Sequence, residues 1–439
     1  MINQFWNRNR IVLKSFWIGF LILILLIPTF LMNGLITERQ DREREAIAEI
    51  SSRWAGAQTV TGPVIGIPYA ETLSDYNSGG SKPEKRWAYF LPVKLDISAR
   101  IVPEKRYRGI FQVIVYTTEL QVRCHYDSLH LQELGLPADK LLWSEAAVFF
   151  DVTDLQGLSE EVNLRLDTHT GGADLDLTPA KFSTDQFKNA LTAGLPGWLP
   201  TAAGGPLEFS TTIRLKGTGN LSFVPAGRET KVEVSSSWPD PSFSGSNLPD
   251  LRSIKDSGFV ANWRVLALNR QFPQQWKGNT FDLQPAAFGV SLIVPVDVYQ
   301  QTTRCVKYGI LIILLTFTAF FLIEWVYQRP IHSLQYLLVG FALCLFYTLL
   351  LSFSEYIGFN SAYAVAAIAT IGLITWYVGS MLRSAKISTF IGAQLSVQYG
   401  FVFTLIRLQD YALLMGSIGL FITLAAVMYF SRKIKWSVA

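Results

Sequence analysis

The sequence predicts a mixed membrane protein: a six-helix α-helical transmembrane bundle with a large β-rich domain outside the membrane. Three observations predict it. Half of the 439 residues are hydrophobic and only 16% are charged, an apolar balance for a soluble chain. The apolar residues concentrate near the N-terminus and after residue 307, leaving 39–303 polar. Six apolar runs approach the roughly 20 residues that cross a bilayer's hydrocarbon: 15–32, 308–325, 334–353, 362–381, 387–406 and 411–430.

The chain therefore divides into an N-terminal segment 1–14, a first span 15–35, an external domain 36–304, a five-helix bundle 305–431 and a tail 432–439. Basic residues set the orientation. Arg8, Arg10 and Lys14 precede the first span, Arg329 follows the second, Arg383 and Lys386 separate the fourth and fifth, and Arg432, Lys433 and Lys435 follow the sixth. With six spans all four clusters share one side, which predicts cytoplasmic termini and an outward domain. Arg304 and Lys307 border the second span on the outer side and run against the rule. The run LILILLIPTFLMNGLITERQ offers no small-x-small cleavage site, so it reads as a retained anchor. Cys124 is the domain's lone cysteine, which excludes an internal disulfide; a domain this large folds on its apolar core.

The domain begins with ITERQDREREAIAEISSRW, where Ile47, Ile50 and Trp54 recur at helical spacing. Thr61-Gly62-Pro63 is expected to end helical character before VIGIPY. Strand signals follow: RYRGIFQVIVYTTELQVRCHY, AAVFFDVTD, EVNLRLDTH, FSTTIRLKGTGNLSFVPAG, TKVEVSSSW and FGVSLIVPVDVY are rich in Val, Ile, Tyr, Phe and Thr and are separated by Gly, Pro and Asp turns. They predict antiparallel architecture, as a large sandwich or two related lobes. Short helices are expected at SEAAV or STDQFKNALTAG.

No cofactor, metal or catalytic constellation emerges. His125, His130 and His169 lack zinc-ligand spacing and read as ordinary histidines. No phosphate-binding loop or nucleophile elbow occurs, and no basic concentration suggests nucleic acid. The domain is therefore expected to bind a lipid, a wall polymer or another protein, with membrane lipids around the bundle and no enzymatic activity. The sequence specifies no oligomeric state.

Polar residues in the spans mark positions where charge or hydrogen bonding must be matched. Glu324, Arg329 and His332 are expected to lock a helical hairpin at the inner interface, and Glu355 to mark the outer end of the third span. Deeper lie Tyr347 in the third span and Gln394 and Gln398 in the fifth, the two amides sharing one face at i,i+4. Their amides require protein partners in hydrocarbon, so the fifth span should face protein. A lipid transporter or flippase is the alternative, its path lined by Gln394, Gln398 and Tyr347.

RYRGIFQVIVYTTEL, the junction FGVSLIVPVDVYQQTTRCVKYGILIILLTFTAFFLIEW, IHSLQYLLVGFALCLFYTLLLSFSEYIGFNSAYAVAA and LQDYALLMGSIGLF resemble the bacterial CreD family of inner-membrane proteins. GPVIGIPY at 62–69 is also similar, and 302–363 is the most distinctive stretch. The resemblance implies an envelope-integrity protein with an N-terminal anchor, a periplasmic region and a C-terminal bundle. In some bacteria the family accompanies a two-component system linked to carbon source and β-lactam response. It assigns no catalytic residue. Glu324, His332, Gln335, Tyr336, Ser354 and Glu355 fall inside the distinctive stretch and are expected as structural or coupling positions. Tyr356 stands where relatives are expected to carry His, which argues against a histidine-based mechanism there.

Overall fold

A computed structural model describes residues 10–74, 81–129, 131–137, 140–169, 171–179, 184, 186–187, 190–197, 205–293, 298–327, 330–408 and 411–431. The chain forms two compact units: one takes residues 1–43 and 296–439, the other 44–295.

Helix α1 (Arg10–Trp54) is continuous from the first apolar run into the charged segment. The amphipathic helix expected around Ile47 is thus its continuation. The charged stretch supports itself through i,i+4 pairs, Glu38 with Arg42 at 2.8 Å and Glu49 with Arg53 at 3.0 Å. Helicity stops at Trp54, where the Gly56 N–H donates to Asp154 Oδ2 at 2.8 Å. Thr61-Gly62-Pro63 is therefore not the helix terminator that its composition suggested. It lies inside the first strand, where pairing shifts between Thr61 and Val64 and Gly62 adopts φ +109°, a value that favours glycine.

The β-rich unit contains sixteen described strands: β1 (Gln58–Ser74), β2 (Ser81–Phe90), β3 (Lys94–Arg108), β4 (Phe111–Tyr126), β5 (Ala147–Val152), β6 (Val162–Thr168), β7 (Gly171–Pro179), β8 (Leu191–Gly194), β9 (Leu207–Thr218), β10 (Asn220–Phe223), β11 (Glu229–Ser236), β12 (Pro241–Gly245), β13 (Leu251–Lys255), β14 (Gly258–Leu266), β15 (Gln275–Lys277) and β16 (Phe288–Leu292). One layer runs β12-β16-β10-β1-β5-β8, with β2 on β1 and β15 on β2; the other runs β6-β9-β4-β3-β11-β14-β13. Strand β7 pairs with β6 and, through Thr178 and Pro179, with β8, so it joins the layers.

Both layers bury their apolar alternation in one core. Along β9 every second side chain is buried from Leu207 to Leu215. Aromatic contacts cross between layers: Trp263 of β14 lies 5.7 Å from Phe288 of β16, and Phe259 of β14 lies 5.9 Å from Phe243 of β12. This is the expected sandwich with two departures. β1 pairs parallel with β10, and β3 pairs parallel with β11 over eight residues. LTAG, expected to help form a helix, is strand β8; at SEAAV only a short 3-10 turn, Trp143–Glu145, precedes β5.

Gln58 is fully buried yet satisfied: its Nε2 donates to Asp154 O at 2.9 Å and Lys216 O at 3.0 Å, and its Oε1 accepts from Asp154 N at 3.1 Å. Arg270 is a buried cation that donates to Pro225 O, Ala226 O and Gln274 Oε1. Desolvation lowers its pKa to about 10. Cys124 is buried, as expected of a small apolar residue.

The other unit is helical: α1 as far as residue 43, then α2 (Val298–Lys307), α3 (Gly309–Tyr327), α4 (Ser333–Ile357), α5 (Phe359–Leu382), α6 (Ala385–Arg407) and α7 (Ala412–Ser431). Among the described residues, five helical stretches are long and apolar enough to cross a membrane: α1, α2–α3 together, α4, α5 and α6. α7 is a further 20-residue apolar helix. Small residues bring helices close. A Cβ on Gly340 would reach within 2.2 Å of Leu25 Cδ1, and one on Gly309 within 2.9 Å of the Tyr347 hydroxyl.

Candidate functional site

Two carboxylates on the helical unit each gather a cation from α1 and a tyrosine from another helix. Glu324, near the C-terminus of α3, pairs with Lys14, and its Oε2 accepts from the Tyr336 hydroxyl at 3.2 Å. Lys14 also donates to Ile331 O at 2.8 Å. Glu355, near the C-terminus of α4, pairs with Arg39 at 3.6 Å and accepts from the Tyr299 hydroxyl at 3.2 Å. Its side chain is 8% exposed. Twenty-five residues separate Lys14 from Arg39 on one helix, roughly 37 Å at helical rise, slightly more than a hydrocarbon core of about 30 Å. The two clasps thus stand at opposite ends of α1's apolar run, where charge escapes the midplane cost.

Of the lock expected among Glu324, Arg329 and His332, the described residues show Glu324 and His332 in separate contacts. Glu324 engages Lys14 and Tyr336, while Arg329 lies outside the described residues. His332 instead caps α4: its Nδ1 accepts from Leu334 N at 3.3 Å, and Gln335 Oε1 accepts from His332 N at 2.9 Å. This reciprocal box satisfies helix-terminal donors that hydrocarbon cannot. Ser354 closes the same helix, its hydroxyl donating to Leu351 O at 2.8 Å. Lys14 and Arg39 were the missed members. Their charge at either end of the first apolar run was visible, but their pairing across more than three hundred residues was not.

The interior polar residues point to α3. Gln398 is 9% exposed and accepts from the Thr316 hydroxyl at 3.3 Å; Gln394 Nε2 donates to Leu315 O at 3.2 Å. These are the interhelical bonds that two amides in hydrocarbon require. Gln394 Oε1 and the hydroxyls of Tyr347 and Tyr399 are buried without a hydrogen-bond partner among the described residues. Tyr347 and Tyr399 pack against Phe346, with ring centroids 5.0 and 4.6 Å apart.

The β-rich unit carries a trough of about 810 Å³ on the outer face of β4, β3, β11 and β14. Strand register builds it. Arg123, Asp96, Lys231 and Arg264 form one cross-strand row, and Gln121, Ser98, Glu233, Asn262 and Leu251 the next. In the first row Asp96 stands between Arg123 and Lys231, and Lys231 faces Arg264; in the second Glu233 stands between Ser98 and Asn262. The surface is therefore polar with cations in excess, an arrangement for a polar ligand that carries negative charge. Arg264 donates to Glu229 at 2.6 Å and holds that carboxyl below its ordinary range. Neither row was recognisable in the sequence, because β3 and β11 become neighbours through a parallel pairing across a long connection.

Among the described residues, no group of three or more His, Cys, Asp or Glu side chains is placed to hold a metal. His125 lies 3.0 Å from Asp127 and 3.4 Å from Glu208; His169 is exposed and His130 is outside the described residues.

A family model described as "Inner membrane protein CreD" matches residues 10–437. The Inner membrane protein CreD of Escherichia coli (strain K12) is 32% identical over 425 residues, covering 94% of this chain and 91% of the relative.

Proposed function

Given that this chain belongs to the Inner membrane protein CreD family, we propose that its β-rich unit faces the periplasm, binds an envelope component and reports binding to the helical unit. The component is an envelope lipid, a wall polymer or a protein, and no reaction is catalysed. The bundle has six spans, with α7 as the sixth and both termini cytoplasmic. Basic residues support that orientation: Lys14 belongs to the clasp at one end of α1, and Arg383 and Lys386 lie at the α5–α6 turn.

One observation carries the communication step. The β-rich unit begins at Arg44 and ends at Pro295. Arg39, five residues before it, and Tyr299, four residues after it, both hold Glu355. A pull on either tether therefore loads the same carboxylate at the end of α4. The trough supplies the binding surface in this reading.

A lipid-transport reading draws on the Tyr347 hydroxyl and Gln394 Oε1, which have no hydrogen-bond partner among the described residues. The bonds from Gln394 and Gln398 to α3 weigh instead toward interhelical packing.

The test separates binding from communication in cells, using envelope sensitivity to detergent as readout. Arg123→Glu with Lys231→Glu in the trough should abolish capture of the component and produce the null phenotype at normal protein abundance. Glu355→Gln should retain capture yet produce the same phenotype. Wild-type detergent resistance in both variants would remove the proposal.

A further inference from the structure

We infer that the groove between α5 and α6 holds an anionic phospholipid, its phosphate at Arg383 and Lys386 and an acyl chain between the helices. The groove has a volume of about 1060 Å³ and runs along α5 from Arg383 to Ile368. The fifteen helical steps between them span roughly 22 Å, more than the ~15 Å half-thickness of a hydrocarbon core. A chain entering at the Arg383 end can therefore cross its own leaflet inside the groove.

The walls suit a lipid better than open hydrocarbon. Gly372 leaves one wall open, since a Cβ there meets nothing within 4 Å, while Gly379 and Gly392 let α5 and α6 close at Ser388 and Thr375 to form the floor. The Thr375 Oγ1 in this lining is buried without a hydrogen-bond partner among the described residues. Trp376, 70% exposed, stands in the lining two turns from Arg383, roughly 10 Å along the helix, where its ring can flank an acyl chain.

Charge selects the headgroup. Arg383 is the only charged residue in the lining, and Lys386 is exposed three positions later. Residues 357–409 contain no Asp or Glu, so no carboxylate of the α5–α6 hairpin competes with a phosphate. Arg383 also occupies the left-handed cap of α5 at φ 48°. The site lies wholly in the helical unit and requires nothing of the β-rich unit, so it stands apart from the proposed recognition of an envelope component.

The full chain, reconstituted with equimolar phosphatidylglycerol and phosphatidylethanolamine, is released gently for native mass spectrometry. One retained phosphatidylglycerol is expected in preference to phosphatidylethanolamine. Arg383→Asn, which tolerates the left-handed backbone, and Lys386→Gln should each lower that preference about fivefold, from about 1 kcal/mol per cation. Gly372→Leu should expel lipid of either headgroup without changing thermal unfolding, because a Cβ there meets nothing within 4 Å. A preference unchanged by Arg383→Asn would overturn the inference. So would a dimer that Gly372→Leu dissociates, since that places a second copy in the groove.

Discussion

At the scale of single residues, the paired carboxylates Glu324 and Glu355 tie α1 to α3 and α4 at the two ends of its apolar run. Breaking a largely buried pair leaves a charge without its partner, which costs about 3 kcal/mol. Glu324→Ala and Lys14→Ala should each lower the melting temperature of the purified protein. The double variant should lose less than the sum of the two, as residues that act on each other do. Thermal unfolding in one detergent checks both. In the β-rich unit burial alone raises the pKa of Asp151. Its folded state holds the proton more tightly than the unfolded one, so stability is lost as pH rises through the shifted value. Asp151→Asn should therefore raise stability at pH 7, with the difference fading below about pH 4. Denaturation at the two pH values tests the sign. Burial likewise pushes the Cys124 thiol up, so alkylation at pH 8 should miss Cys124 in the native protein and modify it after unfolding.

At the scale of elements, the legible parts were those whose cause is local. The 15–32 run and the charged turn after it read as helix because apolar length and i,i+4 pairing act within one segment. Strand alternation in β4, β9 and β11 was legible for the same reason. Pairing was not. Asp96 meets Lys231 through the parallel β3–β11 register, and no property of either segment names the other as its neighbour. LTAG became a strand because β5 and β7 supply its hydrogen bonds, overriding the helix expectation. Gln58 illustrates the dependence on such distant partners. Gln58→Leu leaves three backbone polar groups from two segments without that side-chain partner, which should destabilise the β-rich unit by about 2–3 kcal/mol in denaturant titration.

At the scale of the whole molecule, the sequence made the division into helical and β-rich parts readable from composition, and it supplied Glu324, His332, Gln335, Tyr336, Ser354 and Glu355. The roles separated only when distant segments met. Glu355 changed from a boundary marker to the group shared by Arg39 and Tyr299, while Gln394 and Gln398 took hydrogen-bond partners on α3. The trough could not be anticipated because its rows exist only in the folded register. Two tethers join the domain that carries the trough to the helical unit, so recognition at the trough is the step from which the rest follows. The most direct measurement is photo-crosslinking in living cells, with a photoreactive residue placed in turn at Gln121, Glu233 and Asn262 in the full-length chain. A discrete adduct with one envelope component is expected from all three positions, lost in the Arg123→Glu, Lys231→Glu background. Absence of an adduct at every trough position, in cells that retain full detergent resistance, would contradict it.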